Sequence, residues 1–107
     1  MAVIDEVSSA MNDRPDFEAS RALMRDLGLN VHEARSTPEA FGSWLIRGTA
    51  NGRPIRVVWD GRDDTLIIQE PVGNGLPDDW GDRWIAGPNY RHKPSELRDG
   101  LVSVLQR

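Results

Sequence analysis

The sequence contains no cysteine. Disulfides, thiol nucleophiles and thiolate metal ligands are excluded with it. Lysine is nearly missing too: Lys93 is the single lysine among 13 basic residues. A nuclease-type centre of two acids beside a lysine therefore finds no match. No apolar run exceeds a few residues, Val57-Val58-Trp59 and Leu66-Ile67-Ile68 being typical, so no transmembrane helix is expected. The first residues, MAVIDEVSSAMNDR, carry acids where a signal peptide needs bases. The expected location is the cytoplasm. Catalytic signatures are lacking as well: no G-x-S-x-G elbow, HExxH, P-loop or Rossmann glycine motif occurs.

What is present suits one domain over residues 1–107. The chain is 38% hydrophobic and 28% charged, ordinary for a globular protein. Its net charge of −4 argues against binding nucleic acid through phosphate contacts, which needs a basic stripe. The same charge suits an acidic face that docks on a basic partner.

Periodicity supplies the elements. Val3, Ile4, Val7, Ala10 and Met11 recur at helical spacing, which predicts a peripheral N-terminal helix within residues 1–13. Phe17, Ser20, Leu23, Met24 and Leu27 form one face of a helix over 15–28, with Pro15 in its first turn. Gly28 is a natural C-terminal cap, with Leu29 packing back on the last turn. Val31 to Arg35 reads as a short strand. Residues 43–70 alternate with period two and are cut by Asn51-Gly52 and by Asp60-Gly61-Arg62-Asp63-Asp64. Asn-Gly between alternating runs is a strong hairpin signal, because both residues tolerate positive φ. A three-stranded antiparallel meander is expected there.

Residues 71–88 read as a long irregular connection, with Trp84-Ile85-Ala86 as a short edge strand. Leu97, Leu101, Val104 and Leu105 mark a final amphipathic helix over 94–106. The expected class is α+β: a three- to four-stranded antiparallel meander, covered on one face by two helices. The expected order is α-α-β-β-β-β-loop-α.

Candidate chemistry is sparse. DGRDD (60–64) and DDWGD (78–82) look like calcium loops. An EF-hand loop needs oxygen ligands at positions 1, 3 and 5 and glutamate at 12. Counting from Asp60, Arg62 and Pro71 fall on positions 3 and 12; counting from Asp78, Trp80 falls on position 3. Both fail, and the ordinary reading is turn-forming acids. His32 and His92 have no spacing partner. Gly73-Asn74-Gly75 lacks a third glycine and reads as a turn. No metal and no cofactor is expected.

The tryptophans carry more information: there are four of them, against two Phe and one Tyr. Trp44 and Trp59 share alternating sets with Ile46, Ile55 and Val57 and read as core. Trp80 and Trp84 are four apart, so they fall on one side in a helical turn and also in a strand. They either cap the end of the sheet or the last helix, or offer an exposed anchor, and tryptophan and arginine dominate interface hot spots. Arg47, Arg53, Arg56 and Arg62, with Asp60 and Glu70 among them, are expected on the outward side of the meander.

The meander GSWLIRGTANGRPIRVVWDGRDDTLIIQE (42–70) resembles segments of small bacterial proteins of unassigned function. In size and acidity the chain resembles immunity proteins that neutralise secreted toxins, and phage-encoded inhibitors of bacterial defence. That resemblance carries no diagnostic motif and assigns no residue. The order helix, three strands, helix is similar to the double-stranded-RNA-binding domain in topology alone. Its basic helix start is missing here, since the last helix opens KPSELRD.

The leading expectation is a non-catalytic protein-binding module of the inhibitor or immunity type. Its partner would be a toxin or defence protein with a basic surface. The expected contact residues are Asp78, Asp79, Trp80, Asp82, Arg83 and Trp84, with Asp60, Asp63 and Asp64 as neighbours. Two alternatives stand beside it. One is a small enzyme whose carboxylate/His site is assembled only in the fold. The other is a structural subunit that homodimerises through a sheet edge.

Overall fold

The structure, a computed structural model, describes residues 15–73, 79–90 and 94–106. The expected N-terminal helix over 1–13 lies outside these residues. The first described helix, α1, runs Phe17–Asp26, shorter than predicted at both ends. Asp16 sets the start: its carboxylate accepts the Ala19 N–H at 2.7 Å, an N-cap that satisfies one of the free donors of the first turn. Pro15 therefore stands before the cap rather than inside the helix. Its carbonyl accepts the Trp44 indole N–H at 3.0 Å, in a buried contact.

The other end of α1 follows the sequence reading closely. Gly28 has φ +90, and its N–H bonds Arg25 O at 3.0 Å. The Leu29 N–H bonds Met24 O at 3.0 Å. These two bonds are the Schellman pair, which needs a residue free to adopt positive φ. The reversal turns Leu29 into the core, where it is 3% exposed.

Five strands follow: β1 (Asn30–Thr37), β2 (Ser43–Ala50), β3 (Arg53–Asp60), β4 (Thr65–Pro71) and β5 (Trp80–Ala86). They pair antiparallel in chain order, forming one meander. The β2–β3 turn is Asn51-Gly52 with φ +52 and +77, the primed geometry that matches strand twist. The class is α+β with an antiparallel sheet, as expected, but the sheet has five strands rather than three or four. The missed element is β5. The sequence reading places most of it in an irregular connection, although six of the seven residues from Trp80 to Ala86 pair with β4.

Alternation decides which face is buried. Trp44 and Ile46 of β2, Ile55, Val57 and Trp59 of β3, and Leu66 and Ile68 of β4 all point to one side. There they meet Met24 and Leu29 from the α1 region and Leu97, Leu101 and Val104 of α2 (Pro94–Leu105). Helix α1 lies against β1 and β2, and α2 against β4 and β5. Phe17 packs on Trp44 with ring centroids 6.0 Å apart.

The C-terminus of α2 has an unusual partner. Its last turn holds no basic residue to complement the helix dipole. Arg53 supplies that charge from β3, donating to Leu105 O at 2.9 Å and to Val104 O at 3.0 Å. The same guanidinium donates to Glu70 Oε2 at 2.8 Å. Arg53 and Glu70 thus lie on the helix side of the sheet, correcting the expectation of an outward position. The reason is parity: residue 53 alternates with 55, 57 and 59, which all face inward.

Removing that guanidinium strands two helix-end carbonyls and a mostly buried carboxylate. Arg53→Ala should lower unfolding free energy by about 1–3 kcal/mol. Glu70→Gln keeps a neutral acceptor and should cost less. Urea denaturation of the two variants checks the order.

Candidate functional site

The stretch Asp78-Asp79-Trp80-Gly81-Asp82-Arg83-Trp84 divides at a single irregularity. In β5, Trp84 opposes Ile68 and Asp82 opposes Gln69, with the register shifting between Ile68 and Gln69. Arg83 is the extra residue of a β-bulge. A bulge of one residue reverses the facing of everything beyond it. Trp84 therefore faces the helices, opposite the buried Ile68, whereas Asp82 and Trp80 face the other side. The two rings do not point the same way, contrary to the expectation from their spacing.

Each ring has a defined seat. A Cβ built on Gly100 of α2 would lie 2.8 Å from two ring carbons of Trp84. The indole therefore rests on the helix where only glycine leaves room. Trp80 opposes Pro71 and is half-buried. The Arg56 guanidinium sits over its ring, 4.4 Å from the centroid. This cation–π stack contributes about 0.5–1 kcal/mol at a partly exposed site.

Register organises the rest of the face turned away from the helices into two transverse rows. One row is polar: Glu33, Arg47, Arg56, Gln69 and Asp82 stand opposite one another across all five strands. Arg47 directly opposite Arg56 would be repulsive alone. Each arginine is relieved by its other neighbour. Glu33 lies 3.5 Å from Arg47. Gln69 Oε1 accepts from Arg56 at 2.7 Å, and Gln69 Nε2 donates to Asp82 at 2.8 Å. The second row is apolar: Leu45, Val58, Ile67 and Ile85, beginning beside Arg35. Ile85 is 54% exposed.

The expected contact residues are distributed as follows. Trp80 and Asp82 form one corner of this face, where β4 and β5 lie beyond the bulge, and Asp79 precedes β5, its carbonyl accepting the Val72 N–H at 3.0 Å. Arg83, partly exposed at the bulge, approaches Glu70 Oε1 to 3.7 Å. Trp84 is on the helix side. Asp78 lies outside the described residues. Asp60, Asp63 and Asp64 belong to the β3–β4 turn at the opposite end of the strands. Six residues of β4 separate the two ends, a span of ~20 Å at ~3.3 Å per residue.

The turn acids are occupied structurally. Asp60 Oδ1 accepts the Arg62 N–H at 3.0 Å. The Asp63 and Asp64 carbonyls accept the Asn89 and Tyr90 N–H groups at 3.0 and 2.8 Å. One carboxylate oxygen of Asp64 is buried with no hydrogen-bond partner among the described residues.

Chemistry-bearing groups are dispersed. His32 shares a hydrogen bond with Thr49 Oγ1 at 2.9 Å. His92 lies outside the described residues. Among the described residues no three His, Asp or Glu side chains are grouped as metal ligands. No described helix is long and apolar enough to cross a membrane. Gln69 is the site residue that the sequence reading did not name; Arg56 stands on the outward side as expected, but its place over Trp80 was not foreseen. A signal for Arg56 existed: a two-residue Asn-Gly loop pairs 50 with 53, which sets 47 opposite 56. No protein family, curated protein or solved structure matches this chain.

The opposite facings predict opposite costs. Trp84→Ala should destabilise by about 2–4 kcal/mol, the lower part of the range for large core truncations because the ring is half-buried. Trp80→Ala should cost about 1 kcal/mol or less. Gly100→Ala adds a second sign test. Glycine-to-alanine stabilises an ordinary helix interior by up to ~1 kcal/mol, but overpacking an indole costs about 1–3. A net loss of stability is expected. Thermal and urea unfolding of the three variants read these values.

Proposed function

We propose that this chain is a small non-catalytic protein-binding module of the inhibitor or immunity type. It would dock on a partner through the corner formed by Trp80, Asp82 and Arg56, with Asp79 at its edge in the chain just before Trp80. The observation that carries this reading is the seat of Trp80. Its ring lies on the face away from the helices, held beneath a guanidinium and next to exposed carboxylate. A large ring already fixed in place loses little freedom on binding, the property expected of an interface anchor. The acids beside it, within a chain of net charge −4, favour a basic partner.

The test is capture from an extract of the native host, with the intact chain as bait and mass spectrometry as readout. A specific partner should bind the wild type and weaken at least tenfold with Trp80→Ala or Asp79→Arg. Both variants must keep the wild-type far-UV spectrum and unfolding midpoint within a few degrees. A partner held equally well by folded Trp80→Ala and Asp79→Arg would overturn the assignment of this corner.

A further inference from the structure

The apolar row Leu45–Val58–Ile67–Ile85 crosses four strands on the face opposite the helices, with the polar ladder on one flank. On its other flank stand Ser43, Asp60 and Thr65. Over its first three residues lies a shallow recess of about 370 Å³, bordered also by Arg35, Thr37 and Trp44. We propose that this row is a docking strip for the chain's own first residues, with Val3, Ile4, Val7 and Met11 supplying the apolar contacts.

Three observations select that occupant. The first is position. Pro15 is buried, and its carbonyl is held by the Trp44 indole at 3.0 Å. Pro15 therefore stands at the end of the sheet that carries Trp44 and the recess. Residues 11–14 in extended form reach up to ~13 Å, enough to pass a sheet whose neighbouring layers pack ~10 Å away.

The second is length. Four strands at ~4.8 Å spacing make a row ~14 Å long. The helix that the sequence spacing predicts for Val3 to Met11 would span ~12 Å, with Val3, Ile4, Val7 and Met11 on one side. The third is area. The face measures ~24 by ~20 Å, so two copies stacked on it bury roughly 1,000 Å² in total. Stable dimers start at about 1,200 Å². A short segment tethered next to its site needs no such area, because its effective concentration is in the millimolar range.

The lack of native cysteine makes the strip directly readable. Single thiols are introduced by Val58→Cys and, as an independent second site, Ile67→Cys, with exposed Ala22→Cys on α1 as reference. Each is placed in the full-length chain with and without Val3→Ser, Ile4→Ser and Val7→Ser together. A maleimide probe should label the V58C and I67C thiols at least tenfold faster in the triple-serine background. The A22C thiol should react at one rate in both backgrounds. Equal rates at V58C and I67C in the two backgrounds overturn the proposal. Protection that rises with protein concentration, or that appears only in cell extract, also overturns it, assigning the strip to a second copy or to an outside partner. If one strip variant fails to fold, the other decides.

Discussion

The bulge at Arg83 is the constraint on which the arrangement of this molecule turns. A regular strand from Trp80 to Ala86 would place both tryptophans on one face. If both faced the helices, a second indole would compete with Glu70 and Arg53 for the space beside the end of α2. If both faced away, Gly100 would have nothing to receive, and α2 would lose the Trp84 indole that rests on it. One extra residue resolves the conflict. Trp84 fixes β5 to the helix, and Trp80 is released to the other face, where Arg56 covers it.

Charge is distributed by the same division between faces. On the helix side, Glu70 lies between Arg53 and Arg83, and Arg53 extends the network to the carbonyls that close α2. On the other face, Glu33 contacts both Arg35 and Arg47, and Gln69 links Arg56 to Asp82. A neutral glutamine at the centre of that ladder has a physical role. It accepts from a cation on one side and donates to a carboxylate on the other, which neither a glutamate nor a lysine could do. Two arginines can then stand opposite each other in adjacent strands without splitting the meander.

Much of the fold was legible in the sequence because its signals are local. Asn51-Gly52, the alternation of residues 43–70 and the Gly28-Leu29 cap each depend on a few neighbouring residues, and each appears in the structure. β5 was obscured by its bulge and by Gly81, which interrupt the period of two, and by charges that mimic a loop. The cap on α2 was illegible for a different reason: its donor lies about fifty residues away, and only the packed sheet brings Arg53 to Leu105. The candidate corner was half legible. Trp80 and its acidic neighbours stood out by composition, while Gln69, and the place of Arg56 beside Trp80, emerge only when register is followed across three strands. Grouping Asp60, Asp63 and Asp64 with Trp80 failed in distance, since alternation specifies a face but not an end of the strand.

That separation bears on the size of any partner seated at the Trp80 corner. A standard interface covers ~800 Å² on each side, a patch ~30 Å across. Such a footprint reaches from the Trp80 corner over the polar ladder, and across whatever the chain's first residues cover, to the β3–β4 turn ~20 Å away at the strand rise. A globular basic partner would thus engage both groups of acids, with the aspartates of the turn acting on the approach from the rim. A peptide strand or single helix laid at the corner would touch only Asp79, Trp80 and Asp82. Charge reversal at Asp63 therefore separates the two kinds of partner: it slows association of the large one at low salt and leaves the small one unchanged, while truncation of Trp80 accelerates dissociation of both.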